Sequence, residues 1–235
     1  MPTNPFAGGA PVDEWALSAT RRGLHQLAER VLAADLYRWT GRIGLRPPPG
    51  GRGTPPFMGD GPTRQLRVEG VELVLLQGDE RTAWPITTVR AAAAAVEVAP
   101  EAPDVYEAAT PDEPDRPLDL DATAVQALAD WFAVGAEALE RFAAGHGGAE
   151  PTMAQLWPEH FDLGIAMGEV NYGVSPGDDP HPMPYAYVGP WSVPPDAGAA
   201  GSWWNQPYGR GVSAADLPDS GDLVALFEEG WRRSS

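Results

Sequence analysis

Residues 63–87, TRQLRVEGVELVLLQGDERTAWPIT, decide the fold class that this sequence predicts. Residues 63–77 are rich in Val and Leu, and this composition predicts an extended, strand-forming segment. Gly78-Asp79 is a turn signal, and residues 81–87 continue the strand pattern beyond it. Strands joined by short turns pair in the antiparallel sense, so the stretch predicts an antiparallel sheet.

Helical periodicity in the rest of the chain makes the predicted fold α+β. Apolar side chains recur at helical spacing after Asp13, which predicts a helix that ends near Ala34. Further helices are predicted from Thr87 or Thr88 to about Val96, from Asp119 or Asp121 to about Gly145, and from Ser220 to Arg233. Further strands are predicted over residues 37–47, 160–167, 184–191 and 201–206. This order predicts a mostly antiparallel sheet with helices on one face, and it suggests two pseudo-repeated αβββα halves.

The division of the chain follows from its proline, glycine and charge content. Residues 1–12 are rich in Pro and Gly and predict a flexible arm, and we expect residues 13–235 to form a single α+β domain. Residues 97–118 combine carboxylates with prolines, which predicts an exposed acidic linker inside that domain. The predicted core contains Leu24, Leu27, Val31, Leu128, Phe132 and Leu226.

Charge and composition exclude several classes of function. The formal net charge of −17 repels nucleic-acid phosphates and anionic lipids, so neither a nucleic acid nor a membrane is an expected partner. All 16 basic residues are arginine, and the lack of lysine and cysteine excludes P-loop, Schiff-base and thiol chemistry. The chain shows no signal peptide and no apolar run of about 20 residues, so we expect a cytoplasmic protein. The residue bias is typical of an actinobacterial genome, and the sequence indicates no particular cofactor or oligomeric state.

The stretch Gly173-Val174-Ser175-Pro176-Gly177 matches the Gly-x-Ser-x-Gly pattern of a serine-hydrolase nucleophile elbow. In that elbow the residue after the serine donates its backbone N–H to the oxyanion. Pro176 has no N–H, and the prolines that follow exclude the required helix. We therefore interpret Ser175 as a turn residue, with Gly177 at positive φ.

His160-Phe161-Asp162 raises the hypothesis of a metal site. Side chains at i and i+2 of a strand point to the same face, so His160 and Asp162 are candidates to act together as catalytic residues. With His181 they would form a 2-His-1-carboxylate triad of the kind that binds Fe(II). The alternative interpretation is a strand-end histidine beside an exposed turn, with Asp162 in a hydrogen-bonding role.

Aromatic residues between positions 157 and 208 predict a ligand groove. Adjacent tryptophans in a strand face opposite sides, so one of Trp203 and Trp204 faces away from the core. Arg210 is a candidate clamp for a substrate carboxylate. The predicted ligand-binding residues are Trp203, Trp204, Asn205, Tyr185, Tyr187, His181 and Arg210, and apolar walls with a few polar groups are typical of small-molecule pockets.

The same residues carry a family resemblance. The chain resembles a bacterial family of unknown function, common in actinobacteria, in the segments Leu156-Trp157 through Leu163, Tyr172 through Asp178, Pro184 through Tyr187, and Trp203-Trp204-Asn205. Leu24-His25 and the segment from Arg42 to Pro47 are similar to the N-terminal section of that family. The family pattern places its histidine one position earlier, at Glu159, and has none at position 181, which argues against the metal triad. The resemblance implies no activity.

Three functions stay open from the sequence. The first is binding of a small molecule in a groove lined by aromatic residues, a carboxylate and a histidine. The second is a metal-dependent enzyme that uses the 2-His-1-carboxylate triad. The third is a protein–protein interaction module without catalysis.

Overall fold

The computed structural model describes residues 3–11, 13–47 and 51–234 and confirms the α+β class, because it contains helices and two antiparallel sheets. Met1, Pro2, Val12, residues 48–50 and Ser235 fall outside the described residues, and so do the parts of the predictions that concern them. None of the described helices is long and apolar enough to cross a membrane.

The chain divides into two compact units. The N-terminal unit consists of Val12–Ala129 with Leu156–Phe161, and the C-terminal unit consists of Met1–Pro11, Asp130–Gln155 and Asp162–Ser235. The single domain expected over residues 13–235 stays a prediction. The suggested pseudo-repeat is not confirmed.

The N-terminal unit begins with one long helical segment. It comprises α1 (Glu14–Leu27), a π-helical turn (Ala28–Ala33) and α2 (Ala34–Thr40). Asp13 caps its start as predicted, because its carboxylate accepts a 2.9 Å hydrogen bond from the N–H of Ala16. The helix ends where Gly41 adopts a left-handed conformation with φ of 66°.

The strand predicted over residues 37–47 is therefore wrong in its first part. Helical conformation continues to Thr40 because the buried Asp35 is paired with both Arg38, at 2.9 Å, and Arg64, at 2.8 Å. The pair with Arg38 lies within the helix, whereas the pair with Arg64 fastens the last helical turns to a strand far along the sequence, which a local pattern does not show.

The sheet of the N-terminal unit contains five antiparallel strands. They are β1 (Gly51–Gly53), β2 (Phe57–Met58), β3 (Thr63–Glu69), β4 (Glu72–Gln77) and β5 (Glu80–Pro85), in the order β1-β3-β4-β5 with β2 also beside β3. The stretch predicted as one strand over residues 63–77 is a hairpin, because Gly70 turns the chain with φ of 56° and Glu69 pairs with Glu72. The helix α3 (Val89–Ala95) follows, capped by Thr88 as expected.

The acidic segment 97–118 is held in place rather than solvated throughout. Many of its side chains are exposed as predicted, but Pro103 and Thr110 are buried. The buried carboxylate of Glu29 accepts the backbone N–H groups of Ala109 and Thr110 at 2.8 and 3.0 Å. Arg30 donates to the carbonyl of Thr110 at 2.9 Å, so the π-helical turn anchors this segment.

The C-terminal unit is built around the second sheet and two helices. Helix α4 spans Ala122–Gly145, with its residues from Asp130 onward in this unit, and α5 spans Ser220–Ser234. Strand β6 (Gln155–Trp157) has only Gln155 in this unit. The strands that lie wholly in the unit are β7 (Asp162–Met167), β8 (Val170–Ser175), β9 (Tyr185–Pro190) and β10 (Arg210–Ser213), in the order β10-β9-β8-β7. Gly135 of α4 lies against Val174, and Gly230 of α5 lies against Val188, so both helices pack on the same face of the sheet.

Two details of the C-terminal unit differ from the sequence predictions. The arm is anchored, because Phe6 is buried edge-on against Trp131 and the side chain of Asn4 donates to the carbonyls of Ala214 and Leu217. The strand predicted over residues 201–206 is wrong, and residues 210–213 form the edge strand instead. The predicted core residues Leu24, Leu27, Val31, Leu128, Phe132 and Leu226 are all buried, which confirms that prediction.

Candidate functional site

Ser175 is a structural residue at the end of β8. It is 4% exposed, and its Oγ accepts a 3.1 Å hydrogen bond from the N–H of Gly177. Its carbonyl accepts a 2.9 Å hydrogen bond from the indole of Trp131. Gly177 has a φ of 98°, as the turn interpretation requires. These contacts support a turn in place of a nucleophile elbow.

Asp162 and Tyr187 form a hydrogen-bonded pair across the sheet. The hydroxyl of Tyr187 donates to Oδ2 of Asp162. Burial, reinforced by the Asp162 charge, raises the pKa of Tyr187 well above its ordinary value, so the hydroxyl stays protonated. Asp162 thus has the hydrogen-bonding role that the sequence left open beside the catalytic one.

Glycines on the neighbouring strands leave space for the Tyr187 ring on the sheet. Gly164, Gly173, Tyr187 and Gly211 are paired in register across β7, β8, β9 and β10. A Cβ atom at Gly173 would lie 2.5 Å from the Tyr187 hydroxyl oxygen, and one at Gly164 would lie 2.9 Å from it. Gly164 and Gly173 are therefore required by the Tyr187 ring, which lies over them.

The other tyrosine and the histidine of the predicted groove lie at the end of the same strands. Tyr185 donates to Oδ2 of Asp178 at 2.7 Å, and the ring of His181 lies 5.1 Å from that of Tyr185. Oδ1 of Asp178 accepts the backbone N–H of His181 at 2.7 Å. Burial, together with the hydrogen bond to Asp178, raises the pKa of Tyr185 above its ordinary value. These groups fasten the turn that follows β8.

The tryptophans and arginines form a separate cluster. Two guanidinium groups contact the Trp203 ring, that of Arg210 at 5.4 Å from the ring centroid and that of Arg233 at 5.1 Å. Trp204 meets Trp203 edge-on at 4.5 Å and is 6% exposed. Asn205 is structural, because its amide exchanges two 3.0 Å hydrogen bonds with the backbone of Gly211.

The predicted groove is not formed, because its two groups of residues lie on opposite faces of the sheet. Tyr187 pairs with Gly211, whereas Arg210 pairs with Val188. Paired residues share a face and successive residues alternate, so Arg210 lies on the Val188 face, which α5 covers, and Tyr187 lies on the other. The tyrosines and the tryptophan–arginine cluster therefore cannot line one groove.

The metal triad has no support in the described part of the chain. Residues 3–11, 13–47 and 51–234 contain no group of three or more His, Asp or Glu side chains that could hold a metal ion. His160 is exposed, Asp162 accepts the Tyr187 hydroxyl, and His181 packs against Tyr185. The hypothesis of His160, Asp162 and His181 as joint ligands is corrected accordingly.

The C-terminal unit contains a cavity of about 190 Å³ next to Trp204, which we call the tryptophan cavity. Its walls are formed by the turn between β7 and β8, the loop after β9 and the end of α5. The lining residues are Gly168, Glu169, Val170, Pro190, Ser192, Pro194, Trp204, Arg233 and Ser234. Of the predicted ligand-binding residues, Trp204 lines this cavity, and Trp203 contacts Arg233, which also lines it.

Arg233 and Glu169 are the charged lining residues that sequence reasoning missed. Arg232 and Arg233 at the end of a helix suit the helix dipole, so their position alone does not indicate a ligand site, and Glu169 lies outside the motifs of the sequence. The available signal was Gly168-Glu169 between two apolar runs, which indicates a two-residue hairpin turn. Nothing local, however, joins that turn to a helix end about 60 residues later.

Comparison of the chain with known protein families, with characterised proteins and with solved structures finds no match. The resemblance to an actinobacterial family of unknown function stays a prediction.

Proposed function

We propose that the protein binds a free amino acid, or a zwitterion of similar size, in the tryptophan cavity. The observation that carries this proposal is that one cation and one anion line the same small cavity. Arg233 and Glu169 supply the charges, while Trp204, Val170 and two prolines supply apolar walls. Apolar walls with a few converging polar groups are characteristic of ligand sites.

The volume favours a small metabolite. Drug-sized ligands occupy pockets of about 300–1,000 Å³, and the tryptophan cavity, at about 190 Å³, is smaller. A water molecule takes up about 30 Å³ of liquid volume, so the cavity has room for a ligand of about six to nine heavy atoms. Several free amino acids have this size.

The two charges are suited to the two ends of a zwitterion. Arg233 is held by the Trp203 ring and by a hydrogen bond from its Nε to Glu229, an arrangement that orients the guanidinium. Glu169 and the C-terminal end of α5, where the helix dipole is negative, favour an ammonium group. A carboxylate would pair with Arg233, and an ammonium with Glu169.

The backbone at Glu169 supports a functional role. Gly168 and Glu169 have φ values of 58° and 61°, the left-handed pair of a two-residue hairpin turn. Glycine or asparagine normally occupies the second position, and a glutamate there is strained. The carbonyl of Glu169 accepts the N–H of Trp191 at 2.9 Å, which fixes the strained residue beside the cavity.

Calorimetric titration with three related compounds tests this proposal. L-Methionine carries both charges, 4-(methylsulfanyl)butanoate lacks the ammonium group, and 3-(methylsulfanyl)propylamine lacks the carboxylate. We expect saturable binding of L-methionine and about tenfold weaker binding of each partial compound, because a hydrogen bond to a charged group contributes about 1.5–3 kcal/mol and this site is partly exposed. Equal affinity for all three compounds, or no binding, would contradict the proposal.

Substitutions at the end of α5 supply the matched control. Arg233→Met removes the cation but keeps a long side chain, and we expect it to weaken L-methionine binding about tenfold. Arg232→Met makes the same change one residue earlier, at a residue that does not line the cavity, and should leave binding unchanged. Glu169→Gln should weaken L-methionine but not 4-(methylsulfanyl)butanoate. A similar loss in both arginine variants would indicate a general charge effect and would count against the proposed site.

A further inference from the structure

Four side chains of the C-terminal unit form a cluster beside the turn that connects β8 to β9, which we call the aromatic corner. Its members are Asp178, His181, Tyr185 and Tyr208. The centroid of the His181 ring lies 5.1 Å from that of Tyr185 and 6.4 Å from that of Tyr208. The hydroxyl of Tyr185 donates to Oδ2 of Asp178 at 2.7 Å, and Nδ1 of His181 lies 3.6 Å from Oδ1. Direct contacts therefore join the four residues.

The backbone fixes the shape of the aromatic corner. The N–H of Asp178 donates to the carbonyl of His181 at 2.8 Å, and the N–H of His181 donates to Oδ1 of Asp178 at 2.7 Å, so these two residues close a turn. Gly211 leaves space for Tyr208, because a Cβ atom at this glycine would lie 2.8 Å from the Tyr208 hydroxyl oxygen. A site that is already ordered loses less entropy when a ligand binds.

Solvent reaches the aromatic corner. All four residues are partly exposed, and the exposed fraction of the side chain is 42% for Asp178 and 31% for His181. The hydroxyl oxygen of Tyr208 is buried, so it is not the part of this residue that solvent reaches. The His181 ring is tilted by 41° against Tyr185 and by 67° against Tyr208, and tilted rings do not cover each other's faces as stacked rings do. Ring faces are therefore available to a ligand.

The electrostatic character of the aromatic corner favours a cation. Burial, followed by the charge of Asp178, raises the pKa of Tyr208 to about 12, so its hydroxyl stays protonated and neutral. Asp178 supplies one carboxylate, and the exposed Asp179 next to it supplies another. The negative faces of aromatic rings and a nearby carboxylate both attract a cation, and the net charge of −17 adds to this attraction.

The hydrogen bonds already present select the kind of cation. The carboxylate of Asp178 accepts from the His181 N–H and the Tyr185 hydroxyl, so about two of its lone-pair positions remain for the three N–H donors of a primary ammonium group. A quaternary ammonium group has no N–H donor, and aromatic rings around a cation are its characteristic binding site. A phosphate or carboxylate on the ligand would be repelled by Asp178 and Asp179. We propose that the aromatic corner binds a small quaternary ammonium cation such as choline.

Titration with choline chloride tests this proposal, which does not rest on the tryptophan cavity. It is run at about pH 8, where an imidazole is uncharged, with sodium chloride holding the ionic strength constant. Calorimetry measures the affinity, and the ¹⁵N–¹H shift of the His181 amide, which donates to Asp178, reports the place of binding. We expect saturable choline binding that shifts the His181 amide and that L-methionine does not compete with.

Two related compounds supply the ligand controls. In 3,3-dimethylbutan-1-ol a carbon atom replaces the nitrogen of choline, so the shape is kept and the charge is lost. Phosphocholine keeps the quaternary ammonium group and adds a phosphate. We expect each compound to bind about tenfold more weakly than choline, because the first lacks the cation and the second is repelled by the two carboxylates.

Paired substitutions separate the aromatic corner from general effects of charge. Tyr208→Leu removes a ring and should weaken choline binding about fivefold, whereas Tyr208→Phe keeps the ring and should preserve binding. Asp178→Asn should weaken binding about tenfold. Asp179→Asn makes the same change of charge one residue later and should weaken binding less than about twofold.

The outcomes decide for or against the aromatic corner. Choline binding that Tyr208→Leu weakens and Tyr208→Phe preserves would support it, and this pair decides alone if thermal melts show that Asp178→Asn is unfolded. The proposal would be overturned by an absence of choline binding or by equal binding of 3,3-dimethylbutan-1-ol. Equal losses in Asp178→Asn and Asp179→Asn, or choline binding that leaves the His181 amide unshifted, would also overturn it.

Discussion

Gly135→Ala is expected to destabilise the C-terminal unit, because α4 lies very close to β8 at this position. A Cβ atom at Gly135 would lie 2.3 Å from Cγ2 and 3.0 Å from Cγ1 of Val174, whereas carbon atoms in contact lie about 3.5–4.0 Å apart. The helix must therefore move away from the sheet, or Val174 must leave its rotamer.

The magnitude follows from two opposing effects. Overpacking a core costs about 1–3 kcal/mol, and the short distance places this substitution near the upper end. Alanine in place of glycine inside a helix gains about 1 kcal/mol. We expect a net loss of about 2 kcal/mol in the free energy of unfolding.

Urea denaturation of three variants tests this estimate. Gly145→Ala is the matched control in the same helix, because the nearest atom to its Cβ is Oε1 of Glu228 at 3.9 Å, and it should be neutral or stabilising. Val174→Ala removes both clashing methyl groups. The loss in the free energy of unfolding of the Gly135→Ala/Val174→Ala double variant should therefore be smaller than the sum of the two single losses, by about 1 kcal/mol or more. Equal stability of Gly135→Ala and the wild-type protein would refute the close approach of helix and sheet.

Two further predictions concern the turn after β8 and the buried histidine. Gly177→Val should lose about 1–3 kcal/mol of stability in a thermal melt, since its φ of 98° strains a β-branched residue. Ser175→Ala should lose less stability than Gly177→Val. A serine-reactive fluorophosphonate should not label the wild-type protein, and labelling that is present in the wild type but absent in Ser175→Ala would contradict the turn interpretation. Burial lowers the pKa of His25; the charges of His160 and Arg21 lower it further, whereas Glu29 and the Pro158 carbonyl raise it. As the pH falls, the His25 ring is therefore protonated at a higher pH in the unfolded chain than in the folded protein. The free energy of unfolding should therefore decrease from about pH 6.5 down to the lowered pKa, and His25→Gln should remove this decrease; an unchanged pH profile in His25→Gln would refute it.

The class of the fold and its buried helix faces were predictable because they depend on local periodicity. Leu24, Leu27 and Val31 recur at helical spacing, and the structure buries all three. Gly177 was predictable because a turn after proline needs positive φ. Each of these inferences uses residues within a few positions of one another.

The site was not predictable, because strand register decides which face a side chain occupies. Placing the last strand at residues 201–206 suggested that Trp203 would share a groove with Tyr185 and Tyr187. The observed edge strand starts at Arg210, and its pairing with Val188 carries Arg210 and Trp203 to the opposite face. A shift of this kind changes the composition of every pocket on the sheet.

The length of the first helix shows the same limit. Its continuation to Thr40 depends on the pairing of Asp35 with Arg64, a residue of β3. Such long-range ion pairs override the local strand pattern of residues 37–47. The anchoring of Thr110 by Glu29 is another pairing that the composition of the acidic segment conceals.

The proposed amino-acid site is tested most directly by a crystal of the protein soaked with free L-selenomethionine. Protein expressed with ordinary methionine contains no selenium, so any anomalous selenium peak marks the ligand. We predict one peak in the tryptophan cavity beside Trp204, with the ligand carboxylate on Arg233 and its ammonium group on Glu169. An ordered cavity without a peak, or a peak at a position away from Trp204 and Arg233, would contradict the account.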